Sequence, residues 1–200
     1  MFLVIFYMIG LIGFSFEATF PLFQRLVTIN ILLSALLLFL FHEKWNLKTL
    51  ILFVLIPLFG VAAELVGVNT QAIFGSYSYG DSFGPKVYNT PVLIGLNWLI
   101  LTYCIYVSFI GIRRRWYFMF LAAALMVGFD LALEPVAMRI DMWSWEGGIV
   151  PLRNYIDWYW VSLIIFFFMW VTKFNAKNEL GASLILIQFL FFLSLNFILK

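Results

Sequence analysis

Charge is what this sequence has least of. Only 11% of its 200 residues are Asp, Glu, Lys or Arg, against about a quarter in an ordinary soluble domain. That excludes a water-soluble globular fold. Cysteine and histidine are nearly absent, one of each. The single Cys104 excludes an intramolecular disulfide, and its apolar flanks read as those of a small core hydrophobe. The single His42 leaves no His/Cys/carboxylate cluster at zinc spacing, so no metal ligand is expected. A net charge of +2 with no basic patch gives no footprint for nucleic acid. No Gly-rich phosphate loop precedes a helix: residues 75–80, GSYSYG, lack the lysine and the strand context. A DDxxD-type magnesium site for a prenyl diphosphate is missing. So is a lysine inside the last apolar run, which a retinal Schiff base needs; Lys173 ends the run before it and Lys200 is the last residue. The N-terminal MFLVIFYMIG has neither a positive leader nor a small-residue cleavage signal, and reads as a first membrane span.

Apolar residues fill the space that charge leaves. They make up 64% of the chain, with a mean hydropathy of +1.03. Backbone in lipid must satisfy its own hydrogen bonds. Long apolar runs, rather than short alternating ones, predict helices and not a barrel. The expected fold is all-α: a polytopic transmembrane helix bundle forming a single domain over residues 1–200. Seven spans are expected, near residues 2–16, 23–41, 47–66, 91–111, 116–138, 156–172 and 180–199. The first is short for the roughly 20 residues a bilayer needs. Pro57 falls inside the third, and Pro135 marks a bend near the end of the fifth.

Seven spans send the loops alternately to two sides. One side carries Lys44, Lys48, Arg113, Arg114, Arg115, Lys173 and Lys177; the other carries Arg25, Lys86, Arg139, Arg153 and Lys200. The excess of positive charge puts the first side, and the N-terminus, in the cytoplasm. Acids divide more sharply. Glu43 and Glu179 lie on the cytoplasmic side, whereas Glu17, Glu64, Asp81, Asp130, Glu134, Asp141, Glu146 and Asp157 gather at the other.

Chemistry is therefore sought at that acid-rich face. Glu64 in VAAELVG and Asp130 and Glu134 in GFDLALEPVA sit in or at the edge of spans, and the latter two, four apart, share a helix face. Carboxylates at membrane depth are costly and usually face a bundle interior or a cavity. A purely structural alternative is that they pair with Arg139 or Arg153, or bond to Tyr, Trp and backbone, and lock helices together. Asp157 in NYIDWYW reads equally as a helix-dipole partner or as a fourth site acid. The stretch from Glu64 to Pro91 is too long for a plain connection of about 4–6 residues. It carries Gly67, Gly75, Gly80 and Gly84 with Tyr77, Tyr79 and Asp81, and reads as a lid or re-entrant element. Aromatics frame the same face: Tyr77, Tyr79, Tyr88, Trp98, Trp143, Trp145, Tyr155, Trp158 and Tyr159. Trp and Tyr favour membrane interfaces in any case. Beside buried acids, however, their faces suit a polyene or a developing cation.

The blocks ELVGVNTQAIFGSYSYG, GPKVYNTPVLIGLNW, FDLALEPVA and MWSWEGGIVPLRNYIDWYW, over roughly residues 61–160, together resemble the CruF-type integral-membrane carotenoid biosynthesis proteins, in the form found in Bacteroidetes-type bacteria. The chain departs from that pattern at Thr70-Gln71-Ala72, where a Gly or Ala is expected, so a polar Gln71 is expected to alter the pocket. The resemblance implies a carotenoid 1,2-hydratase of a bacterial inner membrane, with a carotenoid substrate, membrane lipid around it and no cofactor. Water would add across the terminal 1,2 double bond of an acyclic ψ end group of the lycopene or γ-carotene type. Protonating such an alkene needs an acid kept neutral until used, a state that burial favours for a carboxyl. On this reading Glu64 and Asp130 are proton donor and base in either order, and Glu134 and Asp157 orient water or the donor. Tyr77, Tyr79, Trp98, Trp143, Trp145 and Asn154 contact the substrate, and the polyene lies among phenylalanines between helices. Three other functions compete: an intramembrane carotenoid cyclase, a non-catalytic carotenoid- or lipid-binding protein, and a proton-coupled transporter. The flank ALEP lacks the P-x-E-E element of small membrane cyclases, and a one-sided acid cluster is a poor relay across a bilayer.

Overall fold

The computed structural model describes residues 1–199. Seven helices follow one another: α1 (Phe2–Ser15), α2 (Phe20–Leu40), α3 (Leu47–Thr70), α4 (Leu93–Ser108), α5 (Phe118–Arg139), α6 (Leu152–Val171) and α7 (Gly181–Ile198). Each expected span is a helix. Five of them (α2, α3, α5, α6 and α7) are long and apolar enough to cross a membrane; α1 and α4, of 14 and 16 residues, are shorter.

The short α4 is the axis of the bundle. At 1.5 Å per residue it spans about 24 Å, less than a hydrocarbon core of about 30 Å. Yet every residue from Trp98 to Val107 is buried, as expected of a helix that is apolar all round. It contacts α2, α3, α5, α6 and α7. The longer helices turn large apolar side chains outward, among them Leu36, Leu58, Phe168 and Leu190. This arrangement, greasy outside as well as in, belongs to a protein whose solvent is lipid.

Helix ends are set by local chemistry. Asn46 caps α3 by accepting Thr49 N at 3.1 Å. At the other end of α3, Gln71 takes a left-handed conformation and donates its N–H to Gly67 O. α5 closes in a Schellman turn, Met142 N to Ala137 O, with Asp141 left-handed. α6 repeats the device with Phe174 N to Met169 O and Lys173 left-handed.

The loops sort to two ends as the alternation predicts. At one end Lys177 pairs with Glu43 at 2.9 Å, Arg113 donates to Ala176 O at 2.5 Å and Trp170 donates to Arg114 O at 3.0 Å. These contacts join the α2–α3, α4–α5 and α6–α7 connections. At the opposite end lie the two long polar segments. There the expected lid begins later than the sequence suggests, because α3 runs on to Thr70 and keeps Glu64 and Gly67 helical. Beyond it come four short strands: β1 (Tyr77–Tyr79), β2 (Lys86–Val87), β3 (Thr90–Pro91) and, after α5, β4 (Trp143–Trp145). β1 pairs antiparallel with β4, and β2 with β3. The lid is a small β-ribbon across the mouth of an all-α bundle, not a re-entrant helix.

The backbone approach at Gly95 is predicted to tolerate no larger side chain. A Cβ on Gly95 of α4 would lie 2.5 Å from the Pro57 carbonyl oxygen of α3, a backbone atom that can yield only if the two helices part. Gly95→Leu should cost about 1–3 kcal/mol and lower the melting temperature in detergent. Gly128→Ala, which meets nothing within 4 Å, should leave it unchanged or raised.

Candidate active site

The sequences YSY and WSW explain the roof of the site. In β1 and β4 alternate side chains point to opposite faces, and the register pairs Tyr77 with Trp145, Ser78 with Ser144 and Tyr79 with Trp143. All four aromatic residues therefore share one face. The two serines share the other, their hydroxyls 3.2 Å apart. The aromatic face looks down on the carboxylates of α3 and α5.

Glu64 receives three donors. Tyr77 and Tyr79 hydroxyls donate to Oε2 at 2.6 and 2.8 Å, and Trp98 Nε1 donates to Oε1 at 3.1 Å. Gly67, one turn further along α3, makes room: a Cβ there would stand 2.7 Å from the Tyr77 hydroxyl. Glu134 also receives three. Trp143 and Trp145 Nε1 donate to Oε2 at 2.9 and 2.8 Å, and Asn154 Nδ2 donates to Oε1 at 3.2 Å. Asn154, in the first turn of α6, uses the same amino group to reach Asp130 Oδ2 at 2.7 Å. Asp130 Oδ1 is buried and has no partner among the described residues. All three carboxyl groups are at least 97% buried, with exposures of 3% for Glu64, 0% for Asp130 and 1% for Glu134.

Of the two structural alternatives that the sequence offers, ion pairs or hydrogen bonds to Tyr and Trp, the fold adopts the second. None of the three acids pairs with Arg139 or Arg153; their partners are phenols, indoles and an amide. Asp157 stands apart from them. Its Oδ2 accepts Phe74 N at 2.7 Å and pairs with Arg153 Nε at 3.3 Å, while Arg153 also donates to the Ala72 carbonyl. Asp157 thus ties the start of the lid to α6. A second clasp runs from Lys86 Nζ to Tyr79 O at 2.8 Å and to Asp81 at 3.1 Å.

Between lid and bundle is a cavity of about 20 Å³ that Glu64, Glu134, Tyr77, Tyr79, Asn154 and Trp158 help to line. It has room for one water molecule. Asp130 does not line it. Below it Trp98 and Trp158 stack, with ring centroids 4.4 Å apart. Of the other aromatic residues expected at this face, Tyr88 is 80% exposed, and Tyr155 and Tyr159 line a separate groove on α5 and α6. Gln71 is exposed and caps α3 outside the cavity. The expectation that it alters the pocket is corrected on that ground. Among the described residues no group of three or more His, Cys, Asp or Glu side chains is placed to hold a metal ion. Sequence reasoning missed Phe74 and offered Arg153 only as a partner of the intramembrane acids; their lid contacts span more than 80 positions. The strand signal was present in the period-two spacing of YSY and WSW.

Among the lid groups the phenols of Tyr77 and Tyr79 are both raised above the ordinary tyrosine range, first by burial and then by the adjacent Glu64 carboxyl group. Held protonated, they remain donors to it.

A protein-family model described as "Carotenoid biosynthesis protein" matches residues 24–200. No curated protein and no solved structure matches the chain.

The raised phenols predict a pH dependence. As pH climbs through about 10, the unfolded chain loses these two protons and the folded protein keeps them, so stability falls with rising pH. In the Tyr77→Phe/Tyr79→Phe double variant that fall should be shallower. The folded-state absorbance rise at 295 nm should match that of the parent, because neither phenol contributes to it.

Proposed function

The chain belongs to the carotenoid biosynthesis protein family, and from that premise we propose that it is a carotenoid 1,2-hydratase acting on an acyclic ψ end group. The observation that carries this reading is a water-sized cavity lined by both Glu64 and Glu134 under an aromatic roof. Hydration needs an acid, a base, one water and a stabilised cation at the same place.

The hydrogen-bond inventory supports one division of roles. Every partner of Glu134 can only donate: two indole N–H groups and an amide N–H. That set suits an acceptor, and Glu134 is the base. Two of the three partners of Glu64 are phenols, which both donate and accept. Glu64 can therefore carry or release a proton without losing them, and is the acid. Asp130 acts behind them, setting Asn154 and through it Glu134. Asp157 positions the lid.

In the reaction Glu64 gives its proton to C2 of the terminal double bond. Positive charge forms at tertiary C1, where the faces of Tyr77, Tyr79, Trp143 and Trp145 stabilise it. The cavity water forms the C1–O bond as Glu134 takes its proton. Return of that proton to Glu64 restores the enzyme; one water is consumed and one tertiary alcohol formed. The cavity is too small for an end group, so substrate enters when the ribbon lifts. The protein would work in a bacterial inner membrane, with its N-terminus and the Arg113–Arg115 triplet in the cytoplasm, because that side carries the excess of basic residues.

The test is expression in a host accumulating lycopene or γ-carotene, with pigments resolved by chromatography and mass. The product should be about 18 mass units heavier than the substrate, one added water. A product of unchanged mass but shifted spectrum would identify a cyclase instead. Glu64→Gln and Glu134→Gln should each lower the hydrated product at least about 100-fold, with insertion unaltered. Asp130→Asn, acting through Asn154, should lower it about tenfold. Full yield from both glutamine variants would sink the assignment.

A further inference from the structure

Below the lid, the acid cavity is walled by α3, α4, α5 and α6, through Glu64, Ile94, Glu134 and the pair Asn154 and Trp158. A substrate with its end group there must lead its tail out between two of these helices. α5 packs closely on α6 and α3 on α4, whereas α3 and α6 barely meet. That loose seam holds a groove of about 740 Å³, lined by residues of α3 and α6 alone. Its floor is buried, at Leu52, Ile56 and Ile165. Its rims include Leu55, Phe168 and Val171, each more than half exposed. With apolar floor and apolar rims, the groove opens sideways into lipid.

Helical spacing carries the groove toward the acids. Two turns of helix take about 7.2 residues, so side chains seven apart lie on one face. Trp158, which lines the acid cavity, stands seven residues before Ile165 on α6. Ala62 and Ala63 stand seven beyond Leu55 and Ile56 on α3, so that stripe ends in small side chains beside Glu64. At the end away from the lid, Lys48 Nζ donates to Thr172 O at 3.4 Å and bridges the two helices. From Lys48 to Glu64 the rise along α3 is about 24 Å. The acyl chains of one leaflet fill only half of a hydrocarbon core about 30 Å thick. A phospholipid tail therefore cannot run the whole length, whereas an extended polyene can.

We propose that this groove holds the polyene tail of the substrate whose end group reaches Glu64 and Glu134. Resting on the reaction assigned to those two glutamates, this placement makes the substrate long, apolar and straight where it leaves the acids. The molecule slides in sideways from lipid along the α3–α6 seam, and its end group passes Trp158 as the ribbon lifts. Lys48 marks the far end of the tail.

The test places a diazirine amino acid at Phe168 in a host that accumulates lycopene, and reads the mass of the photoadduct on the purified full chain. The adduct should carry the mass of the carotenoid. The same label at Leu190, exposed on α7, should carry phospholipid. Ala62→Trp, which blocks the seam beside Glu64, should lower the yield of hydrated product at least about tenfold. Leu55→Trp, on the exposed rim, provides the same comparison if the first variant fails to insert, and Leu190→Trp should leave the yield unchanged. The adduct does not require turnover, so groove and reaction can fail separately. Carotenoid on Phe168 in a protein that yields no hydrated product would support the groove and end the hydratase reading. Phospholipid alone on Phe168 would overturn the groove whether or not the protein hydrates, as would full yield from both seam variants.

Discussion

Three carboxyl groups inside a membrane-spanning bundle are the constraint on which the rest of the structure depends. Lipid offers them no water, and no cation among the described residues is spent on them. Each must be met by neutral donors, and the helices alone supply only two, Trp98 and Asn154. The remaining four donors come from the β-ribbon: two phenols for Glu64 and two indoles for Glu134. Bundle and lid are thus energetically incomplete apart. The same need explains why a chain with so little polar surface holds two long polar connections at one end. It also explains why Asp157 and Lys86, which touch no carboxyl of the cluster, are used to tie that ribbon down.

The helical architecture was legible because lipid leaves little choice. An apolar run of about 20 residues has no other way to satisfy its backbone, so spans could be counted directly. Glu64, Asp130 and Glu134 stood out for the same reason: a charge-bearing side chain in such a run has a high cost and needs a purpose. Their pairing across helices was not legible. Nothing in sequence spacing says that Asn154 bridges residues 20 and 24 positions away, or that Asp157 turns from the cluster to the Phe74 backbone. The ribbon was half legible. YSY and WSW alternate with period two, but three-residue strands 64 positions apart lie below any useful pattern length, and in this chain they are strands only because they find each other.

Neutral partners have a functional consequence that ion pairs would not. An Arg beside Glu64 would hold it as a carboxylate and deny it a proton to give. Phenols impose no such choice, since a hydroxyl can turn from donor to acceptor as the proton comes and goes. Indoles do impose one: Glu134 accepts from two of them, Glu64 from Trp98 only. The asymmetry between two glutamates in one pocket thus rests on which aromatic residue occupies which strand: tyrosine on β1, tryptophan on β4.

The ribbon also couples the two glutamates in time. β1 carries the donors of Glu64 and β4 those of Glu134, and the ladder from Tyr77–Trp145 to Tyr79–Trp143 joins them. A movement that keeps the ladder intact removes two donors from each glutamate at once and returns them together. With buried hydrogen bonds worth about 0.5–1.5 kcal/mol each, an open ribbon without substrate is costly. The closed state leaves room for nothing larger than water. An end group that enters must replace those contacts by burying its own apolar surface against the same rings. In the proposed reaction, acid and base would then be uncovered only when a substrate is there to cover them.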